Sequence, residues 1–522
     1  MSLSDMMSNS SFTGGAIVFS ENPALKFTIS CCLVLLCCLW AISKQKSKSK
    51  LIPGVYVVGG QHESEIKTTS RRFRDESKTL IRDGYSHTQG RDPFYVPSNL
   101  GPRLIIPTRY MEELKSAPIP QVDFIGTVHE MFEYDYTGVV HPSRMVPSTL
   151  VSHLTPRLPT IMPEVQDEMK IAISEEFPPC DDWTEVNIME GMTRVITRAT
   201  SRMAGGKTLS QDREWISAAI SYAVWAFTAA QKIKKVPAPL RRLVGPFLSE
   251  VRKEIPWSFS VAARVAVPLL EQRSRTGEEA NDFLQFLKDT AKGAEKEDKF
   301  ISHLLVMVAF ASIHTSVATI GSLVFDLCQY PELVDMIREE YEGIVDQNGN
   351  IPKGGFVKLV KMDSIMKESQ RLNPITLPDN HDNLSVTFER IIHEERTLKD
   401  GFTIPAGTQI GVPNYEIAMD PQIYPDPERF DPLRFEKLRQ DPAWANKSQF
   451  VSSNPQSLSF GYGRHACPGR QFMDQEFKSF LVKLLSTFDL KFKDGQSRVP
   501  NSPLESQYLL HHVGILLKRR KL

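Results

Sequence analysis

The sequence predicts a mainly α fold with a minor β part, built as one large unit over 61–522 and preceded by a single transmembrane helix. Three observations lead there. Helical apolar periodicity dominates from about 110 to 375. Short apolar pieces broken by Pro and Gly fill 90–108 and recur between 385 and 420, the mark of strands and turns. One nearly uninterrupted apolar run stands close to the N-terminus. The 522 residues are 41% hydrophobic and 24% charged, which excludes a disordered or collagen-like chain. Lys and Arg (62) balance Asp and Glu (62), and no basic stripe is present, so nucleic acid is not the expected partner.

Residues 1–23 are a short segment expected on the luminal side. Ala24 to Ile42 is 19 residues with one charge, Lys26; as a helix it spans about 28 Å, close to the hydrocarbon thickness. Lys44, Lys46, Lys48 and Lys50 follow, whereas only Asp5 and Glu21 precede Lys26. The positive-inside rule then puts an anchor at 24–43 and the bulk of the chain in the cytosol; the expected location is the endoplasmic reticulum membrane. A cleaved signal peptide fits poorly, because it wants a basic start. Residues 44–60 form a basic, Pro/Gly-containing connector. Four of the seven cysteines lie in the apolar run, and Cys180, Cys328 and Cys467 are scattered, which suits a reducing compartment.

Within the large unit the clearest helical pieces are Thr155 to Glu176, Asp212 to Lys232, Gly277 to Lys292 and Lys299 to Tyr330. The last is apolar enough to span a membrane, but Ser312, His314, Thr315, Ser316 and Thr319 break it. It reads as a central helix whose polar stripe faces a cavity. Pro331 suits the first turn of the next helix, and another helix, about 357–372, stops before Pro374. A final helix runs from about 469 to 485, followed by a terminal pair of strands. Lys518, Arg519, Arg520 and Lys521 read as a solvated tail. The fold is large enough to enclose a cofactor.

Residues 460–470 read Phe-Gly-Tyr-Gly-Arg-His-Ala-Cys-Pro-Gly-Arg. Glycines permit positive φ and let N–H groups approach sulfur, and the helix that follows favours a thiolate. The bland alternative is a free cysteine in a Gly-rich turn. The spacing Phe460, Gly463, His465, Cys467, Gly469 speaks against it, with chance odds on the order of one in ten thousand. Here the sequence resembles the cytochrome P450 family, in which such a cysteine is the thiolate ligand of haem iron. The resemblance makes Cys467 the metal ligand and Phe460, Gly461, His465 and Gly469 part of a haem b site. It departs from the family at His465, where most members have Arg against a propionate.

Three further motifs follow in the family's order. Glu368-Ser369-Gln370-Arg371 offers a carboxylate and a guanidinium on one helix face. Glu436 and Arg439 repeat the spacing, but only Glu368, 99 residues before Cys467, sits at the family's distance. Pro427-Glu428-Arg429-Phe430 resembles the segment that gives the pair a third member, implying a buried network of Glu368, Arg371 and Arg429. Ala311 to Ser316 resembles the oxygen-activation segment, with Thr315 at the threonine that handles protons and His314 where the family has an acid. Histidine can relay protons, so the resemblance gives His314 a place in proton delivery; the bland alternative is a satisfied core histidine. Arg390 falls where the family often holds a propionate, and His153 is a guess for a second such contact.

The resemblance covers essentially the whole chain and implies a haem-thiolate monooxygenase using O2, with electrons from NADPH through a cytochrome P450 reductase. It is most similar to microsomal fungal members of secondary metabolism, including those that oxidise terpenoids, so the expected substrate is a hydrophobic small molecule. By family analogy the contacts to it lie around 115–140, 225–265, 305–315 and 375–385. Two rivals stand beside this reading: a reductase-independent thiolate-haem isomerase or dehydratase, and a membrane-tethered haem carrier or sensor.

Overall fold

The computed structural model describes residues 51–98, 101–374, 386–498 and 514–521. The expected anchor at 24–43, the luminal segment and the whole substrate stretch 375–385 lie outside these residues.

The chain begins with β1 (Tyr56–Val57), α1 (Glu63–Thr88), β2 (Phe94–Ser98), β3 (Gly101–Ile105), α2 (Thr108–Leu114), β4 (Val122–Asp123) and α3 (Phe124–Phe132). A helical body follows: α4 (Thr155–Glu176), β5 (Thr184–Val186), α5 (Ile188–Ser210), α6 (Arg213–Lys234), α7 (Ala238–Val244), α8 (Ile255–Thr276), α9 (Phe283–Thr290), α10 (Asp298–Gln329), α11 (Glu332–Glu342) and α12 (Val360–Leu372). Then come β6 (Val386–Ile392), β7 (Arg396–Thr397), β8 (Thr403–Ile404), β9 (Gln409–Pro413), α13 (Arg470–Thr487), β10 (Phe488–Phe492) and β11 (Ile515–Arg519). The mainly α, minor β expectation holds.

Local chemistry sets the boundaries. Asp123, Asp212 and Asp282 each accept a backbone N–H from three residues on, capping α3, α6 and α9. Gly277, at φ +70°, ends α8 in the left-handed conformation. The expected helix from Gly277 therefore starts only at Phe283, after the turn that Gly277 opens. Pro331 caps α11 with φ −58°. Three long helices, α1, α5 and α8, add to those the periodicity singles out. α5 is kinked at Gly205 and Gly206, and α8 contains Pro256 and Pro268, features that blur a helical signal.

α10 is the axis of the helical body. α5, α6, α8, α12 and α13 pack around it, and one continuous apolar core joins them through residues such as Val195, Tyr222, Leu270, Leu323 and Phe480. Among the described residues α10 alone is long and apolar enough to cross a membrane, yet most of it is buried inside the protein. The six-stranded sheet, ordered β1-β2-β3-β9-β6-β4, shields a second core of Tyr95, Leu104, Ile392, Ile410 and Val412. β11 pairs antiparallel with both β10 and β5.

That pairing corrects the reading of the C-terminal basic residues as a solvated tail. Lys518 forms an ion pair with Asp182 at 2.8 Å, the Arg519 amide donates to the Cys180 carbonyl at 2.7 Å, and the Arg520 amide donates to Thr487 at 3.0 Å. Backbone hydrogen bonds hold the strand, while its charges stay at the rim.

Candidate active site

Residues 460–470 form a loop whose backbone closes on itself. The Cys467 amide donates to the Phe460 carbonyl at 2.7 Å, and Arg470 Nη1 donates to the Cys467 carbonyl at 2.8 Å. Phe460 is buried edge-on against Phe450 at 5.4 Å between ring centroids. Gly461 and Gly463 take φ +68° and +72°. At Gly463 a Cβ would fall 2.6 Å from the Lys115 carbonyl oxygen, so only glycine lets the loop lie on the end of α2. Arg464 fastens that contact: its amide donates to Lys115 O and its Nη2 to Ser116 O, both at 3.0 Å. Gly469 has an ordinary φ of −89° and acts instead as the N-cap of α13. Burial raises the Cys467 thiol pKa, opposed by the Gly469 and Arg470 amides and the Arg470 charge. The sulfur is turned toward the same core as α10.

A cationic cluster surrounds His465. In β6 the register slips between Thr387 and Arg390, and Phe388 takes φ +55°. Such a bulge re-aims the side chain that follows it. Arg390 is thereby buried, its guanidinium 4.3 Å over the Phe388 ring and 4.8 Å over the Phe124 ring. Desolvation pulls its pKa down to about 10, even with Glu389 and Asp123 nearby. Burial, with the guanidinium groups of Arg390, Arg144 and Arg464, holds the His465 pKa at about 4. His465 Nε2 is buried without a hydrogen-bond partner. The guess at His153 is corrected: that ring meets Ser152 Oγ at 2.8 Å on the exposed side, and Arg144 is the cation near His465. No spacing pattern in the sequence marks Arg144.

Behind the loop stands Glu368, fully buried on α12. Arg371 grips it with two bonds, Nε to Oε2 at 2.9 Å and Nη2 to Oε1 at 2.8 Å. The expected third member, Arg429, is corrected to Arg434, whose Nε lies 3.1 and 3.2 Å from the two carboxylate oxygens. Arg429 is exposed and contributes only its carbonyl, which accepts from Arg434 Nη2 at 3.1 Å. Both Pro-x-Arg-Phe copies follow the left-handed turn at Asp426, φ +47°; the arginine of the first is exposed, and that of the second, Pro432 to Phe435, is buried. That second copy was the missed signal. Arg439 of the duplicate Glu-x-x-Arg pairs with Asp363, not with Glu436.

Between Ile301 and Cys328 of α10 the residues that keep some exposure are His303, Met307, Phe310, Ala311, Ser312, His314, Thr315 and Ala318, nearly all on one face at helical spacing. Ala311 is exposed midway along the most central helix, so this face borders an internal space. Thr315 Oγ1 donates to Ala311 O at 2.7 Å and Ser312 Oγ donates to Val308 O at 2.7 Å. His314 Nε2 lies 2.9 Å from the Ile220 carbonyl oxygen on α6. Phe310 packs edge-on against Phe132 at 5.1 Å and near Tyr222 at 6.0 Å, giving the space an apolar wall.

These features fit a haem held by sulfur. The loop presents a thiol backed by two amides, and an orphaned imidazole nitrogen and three guanidinium groups suit two carboxylates. Ala311 leaves room against α10.

Comparison with known proteins agrees. The cytochrome P450 family model matches residues 144–519. The chain is 30% identical over 462 residues to the cytochrome P450 monooxygenase AN1598 of Emericella nidulans, covering 86% of this chain and 84% of that one. It is 31% identical over 446 residues to the ent-kaurene oxidase of Gibberella intermedia, covering 84% and 82%. It is 31% identical over 420 residues to the cytochrome P450 monooxygenase olcJ of Penicillium canescens, covering 78% and 76%. Among solved structures, the retinoic acid bound cyanobacterial CYP120A1 matches 86% of this chain and 97% of its own at a TM-score of 0.61. At 16% identity that likeness is one of fold.

Proposed function

The chain belongs to the cytochrome P450 family and is a P450 monooxygenase, and we propose that it inserts one oxygen atom from O2 into an apolar, terpenoid-like small molecule of fungal secondary metabolism, drawing electrons from NADPH through a reductase. The observation that carries this reading is the thiol of Cys467, presented by a glycine loop toward the core that also contains α10.

Family membership implies a haem with a thiolate ligand, and the proposed ligand is Cys467. When bound, that group supplies an electron-rich iron able to split dioxygen. The chain's own residues do the rest. Amides of Gly469 and Arg470 stabilise the negative sulfur that ligation requires. Arg390, Arg144, Arg464 and the Nε2 of His465 hold the two haem carboxylates. Glu368, Arg371 and Arg434 fix α12 against the segment leading to the loop. Thr315 Oγ1, which donates to Ala311 O when nothing else accepts, is the hydroxyl that turns toward the oxygen site and holds a proton there. Phe132, Phe310 and Tyr222 exclude water and favour an apolar substrate.

The terpenoid reading rests on the ent-kaurene oxidase among the relatives. Membrane tethering rests on the apolar run at 24–42 and is supported by α7 and the turn after it. There Leu243 (67% exposed) and Phe247 (76% exposed) project beside the exposed Arg242, a composition that suits an anionic lipid surface. Asn9-Ser10-Ser11 is a glycosylation acceptor sequence. A luminal N-terminus predicts a glycosidase-sensitive mass shift that Asn9→Gln abolishes, and no shift on a wild-type chain counts against that topology.

The test of function is co-expression with a fungal reductase, feeding ent-kaurene and a panel of related terpenoid hydrocarbons and analysing products by mass. A product one oxygen heavier, formed only with NADPH, is expected. Turnover without NADPH would favour an isomerase, and no product from any precursor would overturn the terpenoid reading.

A further inference from the structure

His314 stands immediately before Thr315 on the face of α10 that borders the internal space. Its Nε2 is 2.9 Å from the carbonyl oxygen of Ile220, near the middle of α6. The carbonyl can only accept, so Nε2 carries the hydrogen, and a main-chain carbonyl keeps a second lone pair after its own helical bond. The ring is largely enclosed, and desolvation lowers its pKa against the opposing pull of that bond. A neutral ring whose N–H is committed to a carbonyl has no proton to hand on without breaking the contact.

α6 forms a wall of the same space. Two residues beyond Ile220, the Tyr222 hydroxyl donates to the Thr137 carbonyl at 3.0 Å, and its ring meets Phe310, one turn before His314 on α10. The two helices thus touch at two points one turn apart, one apolar through Phe310 and one polar through His314.

We propose that His314 is a positioning residue: its N–H clamps α10 to α6 through the Ile220 carbonyl and so fixes where Thr315 sits relative to the wall that the substrate meets. The acid-like role in proton delivery implied by the family pattern is replaced here by a structural tie between two cavity walls.

The test compares His314→Gln, whose amide can donate to the same carbonyl but cannot relay protons near neutral pH, with His314→Phe, which keeps a ring and loses the donor. In the haem-loaded protein, hydrogen exchange of the α6 amides over 216–228 should be about fivefold faster in His314→Phe, the loss of one ordinary hydrogen bond, and near wild type in His314→Gln. With added reductase and no substrate, hydrogen peroxide formed per NADPH should rise in His314→Phe. The solvent deuterium isotope effect on NADPH oxidation should be the same in His314→Gln and wild type. The exchange arm stands whether or not the proposed substrate class is right. Unchanged exchange in His314→Phe overturns the clamp, as does a Gln variant with protected α6 but an altered isotope effect. If His314→Phe and His314→Leu fail to retain haem while His314→Gln retains it, the clamp is supported; failure of all three overturns it.

Discussion

The two sides of the internal space are built on different terms. On the side of the cysteine loop, charge is locked. Glu368 is fully buried and satisfied by two guanidinium groups and the Asp431 amide at 3.0 Å, and glycine at 463 seats the loop on Lys115 at a distance no Cβ allows. On the side of α10, the polar groups are tied lightly. Thr315 and Ser312 bond only carbonyls of their own helix, Ser316 Oγ is buried without a partner, and His314 reaches across to α6. The contrast teaches that the loop side is a frame whose every charge depends on its neighbours, whereas the α10 side keeps hydroxyls available for a reacting molecule.

The largest way to break the frame is at its sulfur. Cys467→Ser should abolish NADPH-dependent product formation, measured by mass analysis, while the thermal unfolding of the chain persists. Next is the ion network. Removing one partner of a buried pair strands the others, so Glu368→Ala and Arg434→Ala should each cost about 3–5 kcal/mol and reduce the yield of haem-loaded protein. Arg429→Ala, whose side chain is exposed, should change stability by about 0.5 kcal/mol or less in the same thermal assay. Equal losses from Arg429→Ala and Arg434→Ala would refute the assignment of the third member.

The α10 side should respond in the opposite sense. Thr315→Ala removes a hydroxyl bonded only within its helix, so haem content and unfolding should stay as in wild type. Coupled product formation should fall about 100-fold and peroxide release should rise. A pH-dependent effect sharpens the comparison from inside the frame. Glu476 on α13 accepts from Thr200 at 2.9 Å, and burial raises its pKa to about 8. A raised carboxyl stabilises the fold below its unfolded pKa, and that contribution is lost as pH rises to about 8. Glu476→Gln keeps the hydrogen bond and cannot ionise. Its stability relative to wild type should therefore grow between about pH 4.5 and 8, by at most about 1.4 kcal/mol per pH unit.

What the sequence disclosed follows the same division. Local patterns were readable: Pro and Gly punctuate the strands near 94–105 and 386–413, the central helix shows its polar stripe, and the loop's glycine spacing isolates Cys467. Features that depend on a turn or on a distant partner were not. Arg429 and Arg434 lie in identical local patterns, and only the tertiary placement tells them apart, Arg434 on Glu368 and Arg429 exposed. Arg144 reaches the cluster from a loop without a motif. The partner of His314 is 94 residues away on another helix. The expected terminal strands are there, but Lys518 and Arg519 looked like a charged tail because their place in β11 comes from backbone pairing with β10.

Everything assigned around the loop depends on sulfur being the iron ligand, and one spectrum tests that. The purified full-length protein, reduced and exposed to carbon monoxide, should show a Soret band strongly displaced to longer wavelength. A carbon monoxide band at the position of histidine-ligated haem, or none in a haem-replete sample, would contradict it.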